Sequence, residues 1–213
     1  LLGADIDVEH GYLVGHVDGR LHGARYEFPK VTVTGTENVM MAACLADGTT
    51  ELLNCAREPE VTDLAELLTK MGARIEGAGT PRILIEGVDE LAGAQHRVRP
   101  DRIVAGTFVM AGAIAGEDVT VTACVPDDLA SEIAVLREVG IEIETSATSI
   151  RVRRNGARRA VSVRTAPFPG FATDLQAQYM ALATQVDGTT TIEETIFENR
   201  FMHVAELDRM GAD

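Results

Sequence analysis

Residues 36–86 read TENVMMAACLADGTTELLNCAREPEVTDLAELLTKMGARIEGAGTPRILIE. The run Val39-Met40-Met41-Ala42-Ala43-Cys44 is unbroken by any polar residue and predicts a helix over 37–46. Asp47-Gly48 ends it, because glycine enters the left-handed backbone of a helix stop without a Cβ clash. A strand is predicted over 50–55, then a turn through Arg57-Glu58-Pro59-Glu60. Val61, Leu64, Leu67, Leu68 and Met71 follow at helical spacing, which makes a second helix apolar on one face and polar on the other. Two strands close the stretch, 73–76 and 82–86, the latter marked by Ile83 and Ile85 in alternation. With the strand that precedes the first helix, the order is βαβαββ.

The unit recurs. Leu2-Gly3-Ala4, Met71-Gly72-Ala73, Val139-Gly140-Ile141 and Met210-Gly211-Ala212 place the same helix stop at intervals of 69, 68 and 71 residues. A second marker agrees, since Asp47-Gly48-Thr49 reappears as Asp187-Gly188-Thr189 two periods on. In the next unit the predicted elements are a helix over 102–115, a strand over 119–124, an amphipathic helix over 127–139, and strands over 141–144 and 150–153. The last unit carries a helix over 173–185, a strand over 189–193 and a helix over 199–210. A fixed period of this kind is the mark of stacked, mutually dependent units.

The first helix of each unit is apolar nearly all round, so it is expected to be buried on every face, while the half-polar second helices lie outward. Helices inside and sheets outside describe an α/β (α+β) fold, an inside-out α/β barrel of repeated βαβαββ units. No unit can bury its own inner helix, so several must close on one another.

Composition narrows the function. With 33 acidic and 19 basic residues the net charge is −14, which argues against nucleic acid or an anionic membrane as partner. A small anion held by a few local donors remains compatible. No run has the apolar length of a membrane span, and no signal-peptide pattern is visible. The chain does not begin with Met and starts in mid-pattern, as expected of a piece of a longer polypeptide. Cys44, Cys55 and Cys124 form no C-x-x-C or Cys/His cluster, which suits a reducing cytoplasm and core packing. No metal site and no cofactor are expected.

Three stretches offer polar chemistry. The first, PKVTVTGTEN from Pro29 to Asn38, ends at a helix start. Free backbone N–H groups there, with the ammonium of Lys30, would cradle a diphosphate; an ordinary strand-to-helix turn with a capping Thr is the other reading. The Walker pattern is absent. The second, RTAPFPGFATDLQAQ from Arg164 to Gln178, is a Pro/Gly-stiffened loop entering a helix at Thr173-Asp174. It either delivers the Asp174 carboxylate to a cleft or uses Thr173 or Asp174 as a helix cap. The third, ETIFENRFMH from Glu194 to His203, puts Arg200 in a predicted first helical turn, where a cation opposes the dipole. Arg200 therefore needs another partner, a carboxylate or a bound anion. His203 reads as a packed histidine, Arg57 to Glu60 and Asp101-Arg102 as caps, and the arginines from Arg151 to Arg159 as a solvated hairpin edge.

Taken together, KVTVTGTEN, AREPEV, RVRPDRI, RTAPFPGFATDLQAQ and ETIFENRFMHVAEL resemble the UDP-N-acetylglucosamine 1-carboxyvinyltransferase family of enolpyruvyl transferases, over the whole chain. The resemblance implies two inside-out domains of three βαβαββ units each. Residues 1–99 would be the last part of the first domain and 100–213 the first two units of the second, with a hinge near Arg99-Pro100-Asp101. It implies transfer of the enolpyruvyl group of phosphoenolpyruvate to the 3′-hydroxyl of UDP-N-acetylglucosamine in the cytoplasm, with release of phosphate. Lys30, Val31, Thr32 and Val33 match the segment that grips the uridine diphosphate. Asp174 matches the general base beside the sugar hydroxyl, Ile196 a main-chain contact to the sugar nucleotide, and Arg200 an active-site arginine. Thr34-Gly35 stands where relatives carry glycine one position earlier. The family's mobile catalytic loop finds no counterpart here, so none of the three cysteines takes its role. The sister family, 5-enolpyruvylshikimate-3-phosphate synthase, and a non-catalytic βαβ-repeat clamp are the competing readings.

Overall fold

The computed structural model of the protein describes residues 1–153 and 156–212. The chain forms two compact units, Leu1–Arg99 and the residues from Pro100 on, and each has its own core.

The first unit opens on an antiparallel hairpin, β1 (Asp5–Glu9) with β2 (Tyr12–His16). β3 (Arg25–Glu27) leads into α1 (Val33–Ala43), and α1 returns the chain to β4 (Thr49–Leu53), parallel to β3. A helical crossover is what a parallel pair requires. α2 (Pro59–Lys70) follows, then β5 (Arg74–Glu76) and β6 (Arg82–Glu86). The sheet order is β3-β4-β6-β5, with the last two pairings antiparallel. Met40, Ala43 and Cys44 of the α1 end, Val61, Ala65 and Leu68 of α2, and Leu52, Ile83 and Ile85 of the sheet share one core. Pro59 opens α2, where its missing N–H costs nothing.

Residues 88–101 carry no helix or strand. Their packing includes His96, whose Nε2 lies 3.0 Å from Asp63 Oδ1 and whose Nδ1 lies 2.9 Å from Lys70 Nζ. Asp63, Glu66 and His96 bring metal-ligating atoms within 4.8 Å of one another. The Lys70 ammonium on the same imidazole opposes a cation there, because a ligating histidine ordinarily donates from its other nitrogen.

The second unit starts at α3 (Arg102–Ala115), capped by Asp101, which accepts from the Ile103 and Val104 amides. β7 (Asp118–Thr122) and a 3-10 turn, Pro126–Leu129, precede α4 (Ala130–Val139), then β8 (Glu142–Thr145) and β9 (Ser149–Arg153). The antiparallel order β7-β9-β8 repeats β4-β6-β5 of the first unit. β10 (Val163–Arg164), a 3-10 turn at Thr173–Leu175, α5 (Gln176–Ala183), β11 (Ile192–Glu193) and α6 (Val204–Arg209) complete it. β10 and β11 pair in parallel, again across a helix. Val109, Met110, Leu129, Leu136, Ile150, Val152, Leu175 and Leu182 lie in its core. All four periodic glycines adopt positive φ, 89° at Gly3, 108° at Gly72, 104° at Gly140 and 90° at Gly211, the backbone that a Cβ resists.

Several expectations need correcting. α1 starts at Val33 rather than 37, because Thr32 caps it: Thr32 Oγ1 accepts from Gly35 N at 3.2 Å. A Cβ on Gly35 would lie 2.4 Å from Thr32 Cγ2, so the glycine makes room for the cap. The inner helices keep open apolar faces, in line with the expectation that no unit buries its own helix. Met41 and Leu45 are exposed at the α1 end, and Val104 and Phe108 form an exposed apolar edge on α3. Arg151 and Arg153 sit on β9, the central strand of its sheet, where they pair with Asp118, Glu142 and Glu144 instead of lining an edge. Arg154 lies outside the described residues. α6 begins at Val204, not 199, since Asn199 takes φ 57° and turns the chain off the helical path.

Candidate active site

The β10–β11 pairing aligns the start of the Pro/Gly loop with the start of the Glu194 stretch. Thr165 N donates to Glu193 O, Thr195 N to Thr165 Oγ1, and Thr195 Oγ1 to Thr165 O at 2.6 Å. These bonds extend the strand pair beyond its last ladder residues. The loop folds back on itself, with Ala166 N on Phe171 O and Gly170 N on Pro167 O. It ends in the 3-10 turn that carries Thr173 and Asp174.

Neither side chain caps that turn. Asp174 Oδ1 instead accepts from Arg200 Nη2 at 2.6 Å, and Thr173 Oγ1 accepts from Arg200 Nη1 at 2.8 Å. Arg200 was expected in a helical turn, yet it stands in the irregular segment before α6, so no helix dipole opposes it. The partner it needs is the carboxylate of Asp174. Its guanidinium also stacks over the Phe197 ring, 5.0 Å from the centroid.

Glu194 is the residue that composition and spacing did not single out. Its Oε2 accepts from Thr173 Oγ1 at 2.8 Å, and its Oε1 from the amides of Ile196 and Phe197 at 2.8 and 3.1 Å. Burial alone would raise the Glu194 carboxyl, but the Thr173 hydroxyl and the two amides outweigh it and hold the group below the usual range. The signal was present in the chain, because a carboxylate that accepts amides two and three residues on is a local side-chain-to-backbone turn. Ile196 is brought close to this group, but its amide is already committed to Glu194, so only its carbonyl remains for a ligand. Asp174, Thr173, Glu194, Ile196 and Arg200 thus form one connected cluster in the second unit. Asp174 Oδ2 holds no hydrogen bond among the described residues, and the side chain is half exposed.

Lys30, Val31, Thr32 and Val33 gather in the first unit at the N-terminus of α1. Thr32 takes the Gly35 amide, and the amides of Val33 and Thr34 in the first turn have no intrahelical acceptor. Lys30 is exposed and holds no ion pair among the described residues. Thr36 Oγ1 is turned inward, donating to Thr32 O and accepting from Ala56 N, so it braces the turn from below. The three cysteines are buried and unpaired by disulfides, and burial raises their thiols, Cys55 to about 11. Such thiols are poor nucleophiles.

The fold is that of the enolpyruvyl transferases. It aligns with the crystal structure of the enolpyruvyl transferase NikO from Streptomyces tendae at TM-score 0.86 and 24% identity, over 97% of this chain and 52% of that one. EPSP synthase from Acinetobacter baumannii aligns at TM-score 0.70 and 22% identity, over 100% and 51%. The chain belongs to the EPSP synthase (3-phosphoshikimate 1-carboxyvinyltransferase) family, which it matches over residues 1–213. Among curated relatives, the UDP-N-acetylglucosamine 1-carboxyvinyltransferase of Acidobacterium capsulatum is 59% identical over 213 residues, all of this chain and 49% of the relative. That of Solibacter usitatus is 55% identical over 100% of the chain and 51% of the relative. The chain spans about half the length of these relatives.

Proposed function

We propose that the intact protein carrying this chain transfers the enolpyruvyl group of phosphoenolpyruvate to the 3′-hydroxyl of UDP-N-acetylglucosamine and releases phosphate. That reaction is the first committed step of peptidoglycan synthesis, in the cytoplasm. In this reading residues 1–99 are the last part of one domain, and 100–213 are the first two units of the next.

The observation that carries the proposal is the Asp174 carboxylate. It is spared from capping, fixed through Oδ1 by Arg200, and keeps Oδ2 for an acceptor hydroxyl. Transfer is addition followed by elimination. Protonation at the methylene carbon of the donor makes the neighbouring alkene carbon electrophilic. The sugar hydroxyl attacks that carbon as Asp174 takes its proton; loss of a proton from the new methyl group and departure of phosphate then restore the alkene. Arg200, shared between Asp174 and Thr173, sets the direction of the carboxylate, which is the kind of positioning that lowers such barriers. Lys30 and the free amides of Val33 and Thr34 are the donors assigned to the diphosphate, and the Ile196 carbonyl is assigned to the sugar nucleotide.

The choice of acceptor follows the relatives, which are named for UDP-N-acetylglucosamine at 55–59% identity. Phosphate release by the intact protein, measured with phosphoenolpyruvate and either UDP-N-acetylglucosamine or shikimate 3-phosphate, tests it. Release is expected with the sugar nucleotide alone. Release with shikimate 3-phosphate alone would assign the protein to the sister activity.

A further inference from the structure

One buried acid lies outside the cluster and reaches the loop that bears it. Glu132, on α4, is 3% exposed. It shares the inward face of that helix with Ile133, Leu136 and Val139, where an apolar side chain would ordinarily pack. Burial raises its carboxyl, against the bond from the Ala172 amide and the charge of Arg102, which both favour the ionised form. Placing such a group in a core is costly unless its oxygens are satisfied.

What it holds is specific. Glu132 Oε1 accepts from Ala172 N at 2.7 Å, a bond that ties the loop to α4. Ala172 stands at the entry to the 3-10 turn, φ −67° and ψ 127°, and that turn has no side-chain cap of its own. Arg102, at the start of α3, lies over the ring of Phe168 in the same loop, 5.7 Å from the centroid. The loop closes on itself through Ala166–Phe171 and Pro167–Gly170, so it is a stiff body that α3 and α4 grip at two points. Moving Ala172 moves Thr173 and Asp174 with it.

We propose that Glu132 is a positioning residue for the transfer step: by holding the Ala172 amide it sets the turn that presents Asp174. The inference rests on the function proposed above.

The test uses the intact protein and three variants. Glu132→Leu removes the acceptor and leaves the Ala172 N–H buried. Glu132→Gln keeps a carbonyl acceptor. Ala172→Pro removes the donor from the other side at a φ that a proline ring accepts. Glu132→Leu and Ala172→Pro are each expected to lower kcat about 10-fold or more while KM for the sugar nucleotide stays within about 3-fold. Glu132→Gln is expected to stay within about 3-fold of the parent in both constants. Added to Asp174→Asn, Glu132→Leu should cost little more, because the two act through one group. Hydrogen exchange, which needs no substrate, should show about 10-fold or greater loss of protection at Ala172 in Glu132→Leu. Unchanged kcat in both Glu132→Leu and Ala172→Pro, or a kcat loss that multiplies in full onto Asp174→Asn, would overturn the proposal. Lost protection in a protein that never transfers to UDP-N-acetylglucosamine would overturn it too, but as a failure of the function and not of the anchor. If Glu132→Leu does not fold, the Glu132→Gln and Ala172→Pro pair decides the matter alone.

Discussion

At the scale of single residues, the Arg200–Asp174 pair matters for direction more than for energy. Its side chains are 35% and 50% exposed, and a pair that open to water contributes about 0–1 kcal/mol to stability. Arg200→Lys keeps the charge but loses the fork that spans Thr173 and Asp174, so kcat should fall about 10-fold with little change in melting temperature. Lys30→Ala should raise KM for the sugar nucleotide and leave kcat nearly unchanged; an unaltered KM would return the α1 start to a purely structural turn. Glu194 adds a pH test. Its folded carboxyl titrates below the unfolded one, so its stabilisation is complete above the unfolded value of about 4.3 and is lost as pH falls through the folded value. The melting-temperature gap between the parent and Glu194→Gln should therefore be full at pH 7 and close at low pH. Much of this cluster was legible in the chain, since Asp174, Ile196 and Arg200 lie in two quotable stretches. What was not legible is that Thr173 and Asp174 forgo their cap, because the rival partner is 26 residues away and meets them only once β10 and β11 pair.

At the scale of elements, ends were readable wherever a cap and a stop flank an apolar run. α3 matches its expected range, between the Asp101 cap and Gly116. α1 starts four residues ahead of its expected range, although Thr34, Gly35 and Thr36 are poor helix formers. The capping geometry of Thr32, with Gly35 making room, overrides that preference. A related close approach ties α3 to the site. A Cβ on Gly106 would lie 2.5 Å from Leu175 Cδ1 and 3.2 Å from Leu129 Cδ2, and Leu175, next to Asp174, is fully buried. Gly106→Ala should destabilise the protein by about 1–3 kcal/mol through overpacking, seen as a lower melting temperature. It should also lower kcat, because Leu175 cannot yield without shifting the turn.

At the scale of the whole chain, the period of about 70 residues predicts a recurring order of elements, and the sheets β4-β6-β5 and β7-β9-β8 share one strand order. Apolarity on all sides states what an inner helix needs, and because no unit buries its own helix, this chain by itself is expected to leave apolar helix faces open. Val104 and Phe108 on α3, and Ile6, Val8, Tyr12 and Leu13 on the first hairpin, remain open to solvent. Exposed apolar surface of this kind promotes association. The 213-residue chain by itself is therefore expected to elute above its 22.8 kDa mass and to show no enolpyruvyl transfer, and Phe108→Ser with Tyr12→Ser should shift it toward the monomer. The central claim, that Asp174 accepts the proton of the acceptor hydroxyl, is tested most directly by Asp174→Asn in the intact protein, with turnover and sugar-nucleotide affinity measured side by side. The account predicts a kcat at least about 10²-fold lower with affinity largely kept; turnover close to that of the parent would contradict it.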